Sequence, residues 1–191
     1  VERACREAAR WSAPVRAAVN VSPSQFDLDD VPEMIEHNLA TTGLSPHRLD
    51  IEITEGLLLG ATSPTLQALE RLRAKGVGVA IDDFGTGYAS LGYLASLPVD
   101  KLKIDQSFTR QLGESRADTI VEMILRLAHR LGLTVVAEGI ETEMQAEWLR
   151  ARHCQVGQGY LFHRPAPVVA FRHKLAHGQA VPPLAIAASA S

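Results

Sequence analysis

The stretch Ala80-Ile81-Asp82-Asp83-Phe84-Gly85-Thr86-Gly87-Tyr88 decides how the rest of the chain is read. Just before and within it, Val77, Val79 and Ile81 alternate with Gly78 and Ala80, the pattern of a short buried strand. That strand runs into two adjacent carboxylates and then a loop hinged at Gly85 and Gly87. Neighbouring like charges raise each other's pKa unless a cation sits between them. A divalent metal is the usual remedy, because hard cations prefer carboxylate oxygens. An isolated Asp-Asp-x-Gly would read better as a strand-ending turn, where Asp is common. Other strands of this chain end the same way, and that turns the reading toward a shared site.

A chain of 191 residues supports one domain with a substantial core. With 46% hydrophobic and 21% charged residues it has the composition of an ordinary globular protein. Nineteen basic against 22 acidic residues leave a net charge of −3, which removes the electrostatic case for binding duplex DNA or RNA. A phosphate-bearing ligand then depends on metals or a few placed cations. Cys5 and Cys154 form neither a disulfide framework nor a metal spacing and read as partly buried thiols of a reducing compartment. No apolar run approaches the ~20 residues of a membrane span, and no signal peptide is visible. Val1 opens within helical sequence, so the start reads as a cut edge.

Outward from the Asp82-Asp83 strand, strand and helix alternate. Residues 2–11 predict an amphipathic helix with Ala4, Ala8 and Trp11 on one face. A strand over Val15–Ser22 carries Asn20 near its end, and a helix over Pro32–Thr42 is closed by Gly43. Leu49–Thr54 is a strand bearing Glu52, followed at once by Glu55. Ser63 as N-cap and Pro64 in the first turn open a helix with Leu66, Leu69 and Leu72 as its core stripe. After the central strand come a short helix over Ser90–Leu97 and a strand over Val99–Ile104 containing Lys103. Ile120, Ile124, Leu127 and Leu131 fall at i, i+4, i+7 and i+11 of a helix over Ala117–Leu131. Leu133–Ala137 is a strand running into Glu138, and Thr142 to Gln145 spells a capping box for a helix reaching Arg152. Cys154–Tyr160, with Gln158, is the last strand, and a short helix follows Pro167. The domain is expected over 1–176, with 177–191 a disordered tail rich in Ala, Pro and Ser.

Six rounds of strand and helix argue for an α/β fold with a parallel sheet. In such folds chemistry collects at the carboxyl ends of the strands. Asn20, Glu52, Asp82 with Asp83, Lys103, Glu138 and Gln158 all stand at that end. A (βα)8 TIM-type barrel fits best, with this chain supplying about the last six units of a fold that typically needs ~250 residues.

These residues in this order resemble the EAL domain, the bacterial signal-transduction phosphodiesterase family that linearises cyclic di-GMP. The resemblance covers Glu2 to about Phe171 and rests on Val19-Asn20-Val21-Ser22, Glu52-Ile53-Thr54-Glu55, Asp82 through Tyr88 with Ser90-Leu91, Lys103-Ile104-Asp105, Ala137 through Thr142, and Gln158-Gly159-Tyr160. The Glu-Ala-Leu tripeptide that names the family belongs upstream of everything present. The resemblance therefore implies a domain lacking its first two βα units, one metal-binding glutamate and part of the guanine-binding surface. Ala89 stands where the family often has Ser.

What the resemblance implies for the chemistry is hydrolysis of one phosphodiester bond to linear pGpG at a two-metal site, the ions ~3.5–4 Å apart. Asn20, Glu52, Asp82 and Asp83 are the implied ligands, with Asp82 bridging; oxygen donors without His or Cys suit Mg²⁺ or Mn²⁺. Lys103 orients the attacking water or offsets phosphate charge, Glu138 is the general base or a metal ligand held through water, and Gln158 positions water or substrate. Glu55 braces the loop after Asp83, and that loop is also the implied homodimer contact. Upstream sensory or cyclase domains and a cytoplasmic location complete the expectation. Two other readings stand beside it: an inactive cyclic di-GMP receptor or interaction module, and a barrel enzyme abstracting a proton with Lys103 as base. The seven histidines are scattered and read as surface groups.

Overall fold

The computed structural model describes residues 1–11, 15–28, 30–85 and 94–176. Its strands are β1 (Ala17–Asn20), β2 (Leu49–Thr54), β3 (Gly78–Phe84), β4 (Lys101–Ile104), β5 (Thr134–Ala137) and β6 (Val156–Gly157). All pair in parallel and in sequential order. That is the strand order of a (βα)8 barrel, six of whose units are present. The longer helices are α1 (Glu2–Ala9), α3 (Val31–Thr42), α5 (Ser63–Ala74), α7 (Ser115–Arg130), α8 (Glu143–Ala151) and α9 (Val168–Ala176). Three short helices that the sequence reading passed over follow strand ends: α2 (Pro23–Leu28), α4 (Glu55–Leu59) and α6 (Gln106–Arg110).

The sheet separates its two faces by chemistry. Ile51, Ile53, Val79, Ile81, Leu102, Ile104, Val135 and Ala137 alternate onto one face, are almost wholly buried and join the core beneath the helices. Among the intervening residues, Asp50, Glu52, Asp82, Lys101 and Lys103 turn to the other face beside Ala80, Thr134 and Val136. An inner face normally filled by branched apolar layers is here largely charged.

Local signals explain most helix ends. Asp30 caps α3 by accepting the Glu33 N–H at 2.9 Å, and Gly43 ends it in the left-handed region. The Thr142–Gln145 capping box at the start of α8 is formed in both directions. Two details differ from the sequence reading. Ser63 lies inside α5, whose cap residue is Thr62, because Pro64 already has its fixed φ within the first turn. In α7 the buried residues are Ala117, Val121, Ile124, Leu125 and Ala128, whereas Ile120, Leu127 and Leu131 are half-buried. The alanines let the helix axis sit close to β5, so the contact line runs beside the larger side chains rather than through them. Residues 90–93 of the helix expected over 90–97, and the whole tail 177–191, lie outside the described residues.

The two ends of the described chain meet. The Trp11 and Phe171 rings pack edge to face with centroids 5.1 Å apart, and Arg172 of α9 pairs with Glu7 of α1. Cys5 and Cys154 are fully buried free thiols, and burial pushes the Cys154 thiol up to about 11. Among the described residues no helix is long and apolar enough to cross a membrane.

Candidate active site

The central strand does something that regular alternation forbids. Successive side chains of a strand point to opposite faces, so Asp82 and Asp83 ought to part. Between β3 and β4, however, the register runs from Ile81↔Leu102 to Phe84↔Ile104, three steps on one strand against two on the other. That extra residue is a β-bulge at Asp82-Asp83, and Asp83 adopts φ +53°, the left-handed region that Asp tolerates better than most residues. The bulge turns both carboxylates toward one mouth. One oxygen from each of Asp82, Asp83 and Glu138 lies within 4.8 Å of the others.

Lys103, on β4, reaches into this group from the neighbouring strand. Its Nζ lies 2.9 Å from Glu52 Oε2, 2.7 Å from Asp82 Oδ1 and 2.8 Å from Glu138 Oε1. Four strand ends, β2 to β5, thus supply one connected cluster, and the lysine side chain is only 6% exposed. Burial by itself lowers a lysine pKa, but the three carboxylates outweigh it and hold Lys103 above the ordinary value. A lysine so held stays protonated at neutral pH, which removes it as a proton-abstracting base. Glu138 moves upward, because burial and the nearby Asp82 and Glu52 charges outweigh its bond to Lys103. Asp83 is also raised, first by burial and then by Asp82 and Asp105.

Glu138 lies in the loop after β5, its N–H bonded to Ile104 O at 3.1 Å, not at a helix start. Glu55 opens α4, is buried, and accepts the Gly85 N–H at 3.0 Å, two residues beyond Asp83. Asn20 stands exposed at the end of β1, in register with Glu52. Gln158, exposed after β6, lines a cleft of about 250 Å³ together with Glu138, Arg110, Glu141 and Tyr160. Arg110 and Glu141 are 3.4 Å apart across it. Gly159 is what lets the last two loops meet: a Cβ there would come within 2.1 Å of Ile140 O. Larger clefts of about 630 and 650 Å³ lie among the outer helices, beside Arg6 with His37 and beside Phe26 with Arg71, away from the strand ends.

The structure therefore brings Glu52, Asp82, Asp83, Lys103 and Glu138 together. It also adds a residue to which the sequence assigns no role. Asp105 caps α6 by accepting the Ser107 N–H at 2.9 Å, and its carboxyl meets that of Asp83. The available signal was its place two residues after Lys103, on the same side of the extended chain. Oxygen donors alone make up the cluster; the five described histidine side chains, His37, His47, His129, His153 and His163, are all exposed. The donor set fits a hard divalent ion.

A family model described as the EAL domain matches residues 1–165. Over 191 aligned residues the chain is 41% identical to the cyclic di-GMP phosphodiesterase NbdA of Pseudomonas aeruginosa, covering 96% of this chain and 24% of that protein. It spans only a fifth to a third of the length of such curated relatives. Among solved structures, the phosphodiesterase PaMucR in complex with c-di-GMP superposes with a TM-score of 0.84 at 40% identity, over 89% of this chain and 71% of that one. The manganese/cy-diGMP complex of Klebsiella pneumoniae BlrP1 superposes with a TM-score of 0.80 at 32% identity, over 86% of this chain and 43% of that one. From the six-stranded parallel sheet, the acidic strand ends and the match over most of its length, the chain belongs to the EAL domain family.

Proposed function

We propose that this chain is the metal-binding and catalytic part of a phosphodiesterase that hydrolyses cyclic di-GMP to linear pGpG. The observation that carries the proposal is the convergence of Glu52, Asp82, Asp83, Lys103 and Glu138 from four strand ends into one cluster. The c-di-GMP complex of PaMucR and the manganese complex of BlrP1 support the choice of substrate and metal class. Asn20, Glu52, Asp82 and Asp83 would hold the Mg²⁺ or Mn²⁺ ions. When bound, such ions lower the pKa of a water and stabilise the leaving oxygen.

The chain's own residues supply the rest. Glu138, its pKa raised, accepts the proton of the attacking water as the new O–P bond forms. The P–O bond to the ribose 3′ oxygen breaks, and that oxygen takes up a proton, leaving a 5′ phosphate on a linear dinucleotide. Lys103, held protonated, offsets the charge gathering on the phosphoryl oxygens. Gln158, in the adjoining cleft, positions water or substrate, and the Glu55–Gly85 bond braces the segment carrying Asp83. The full set of strand-end carboxylates supports catalysis over a receptor role without it.

The same reading takes 1–176 as the domain, places it in the cytoplasm with its substrate, and assigns a homodimer contact to the loop after Asp83, whose residues 86–93 lie outside those described. Sensory or cyclase domains are expected elsewhere in a protein of the length of its relatives. The test is hydrolysis of cyclic di-GMP by the full-length protein with Mg²⁺ or Mn²⁺, the product identified as pGpG. Asp82→Asn is expected to abolish turnover; equal rates for variant and wild type defeat the proposal.

A further inference from the structure

We infer that Lys103 is a built-in competitor of the metal ions and sets how tightly the site holds them, an inference that rests on the metal-site reading above. The lysine shares its partners with the ion cluster: Asp82 and Glu138, which with Asp83 bring three oxygens within 4.8 Å, bond its ammonium at 2.7 and 2.8 Å. Glu52, a third candidate partner of an ion, bonds it at 2.9 Å. The ammonium is shielded from solvent: its side chain is 6% exposed and emerges between the buried Leu102 and Ile104. Any divalent ion at these oxygens is therefore bound within a few ångströms of a fixed positive charge.

Charge counting shows why such a group is useful. Fully ionised, Glu52, Asp82, Asp83, Glu138 and Asp105 bring five negative charges to one mouth, and Lys103 leaves four, which two divalent ions balance. Without the lysine the pocket gains one unbalanced negative charge and binds cations more tightly. Three short ion pairs also preset the positions of Glu52, Asp82 and Glu138, so the ammonium orders the same carboxylates that it makes harder to load. Close opposite and like charges in a protein-like dielectric interact strongly enough for such a group to change affinity by at least an order of magnitude.

The experiment is a Mn²⁺ titration of wild type, Lys103→Met, Lys103→Gln and Lys103→Arg in the full-length protein, followed calorimetrically and by electron paramagnetic resonance of free Mn²⁺. Melting in chelator and in saturating Mn²⁺ supplies a readout independent of turnover. Lys103→Met and Lys103→Gln are expected to bind Mn²⁺ roughly ten-fold more tightly or better. Both should melt below wild type in chelator and recover most of that gap with Mn²⁺. Lys103→Arg keeps the charge and should stay within about three-fold of wild type. Equal or weaker Mn²⁺ binding by both neutral variants overturns the inference while leaving the metal site standing. If wild type and variants alike take up no Mn²⁺, the metal-site reading falls and the inference with it.

Discussion

Asp50 offers a quantitative test of the charged inner face. Two residues before Glu52, it is 6% exposed, receives the Arg16 Nε at 2.9 and 3.0 Å, and also bonds Lys101 Nζ. Asp50→Ala leaves those two cations facing each other. Breaking a fully buried pair costs about 3–5 kcal/mol, whereas exposed pairs are worth about 0–1 kcal/mol. The partner side chains are 39% and 22% exposed, between those limits. The loss is therefore put at about 2–3 kcal/mol, a drop of roughly 4–12 °C in Tm for a domain of this size. Its pH dependence has a definite sign. Burial by itself raises the Asp50 pKa, but Arg16 and Lys101 outweigh it and leave it below the ordinary 3.8. A depressed carboxylate stabilises the fold above its unfolded pKa and loses that contribution as pH falls through its folded pKa. Thermal unfolding followed by circular dichroism should therefore show a constant gap between wild type and variant from pH 7 to about 4, narrowing only below 3.8. A gap that is absent at pH 7, or that narrows well above pH 4, refutes the reasoning.

Two further outcomes bear on the site. Glu55→Ala removes the carboxylate that accepts the Gly85 N–H, a part-buried hydrogen bond worth about 0.5–1.5 kcal/mol; Mn²⁺ affinity measured by titration should weaken with it, and unchanged affinity removes Glu55 as a brace. Glu138→Gln should lower kcat by about 10²–10⁴ with KM little moved. Because the Glu138 pKa lies above 4.5, wild-type kcat should climb with pH through that raised value, and the variant's pH–rate profile should lack that limb.

The elements of the fold were legible because each rests on neighbours in sequence. The left-handed Gly43 ending α3 and the Thr142–Gln145 box opening α8 are local devices, and both are where their residues predict them. The strand interiors, apolar at alternate positions, read equally well, and so did the collection of polar groups at the strand ends. The buried face of α7 was less legible. Ala117 and Ala128 carry little hydrophobic signal, yet they lie at the contact because small side chains let the helix approach the sheet. The short helices α2, α4 and α6 have five or six residues, too few for a periodicity to show.

From the sequence alone came the alternation of strand and helix, the family resemblance, and an Asp-Asp pair at the end of a buried strand. Tertiary structure alone decided that both aspartates face one mouth, since that depends on a bulge defined by pairing with β4. It also decided that Lys103 binds carboxylates from residues 52, 82 and 138, and that Asp50 finds its cations at residues 16 and 101. Periodicity and capping act over a few residues and leave a trace in any short window. The partner of a buried charge is chosen by strand register and curvature across tens of residues, where no local pattern records it.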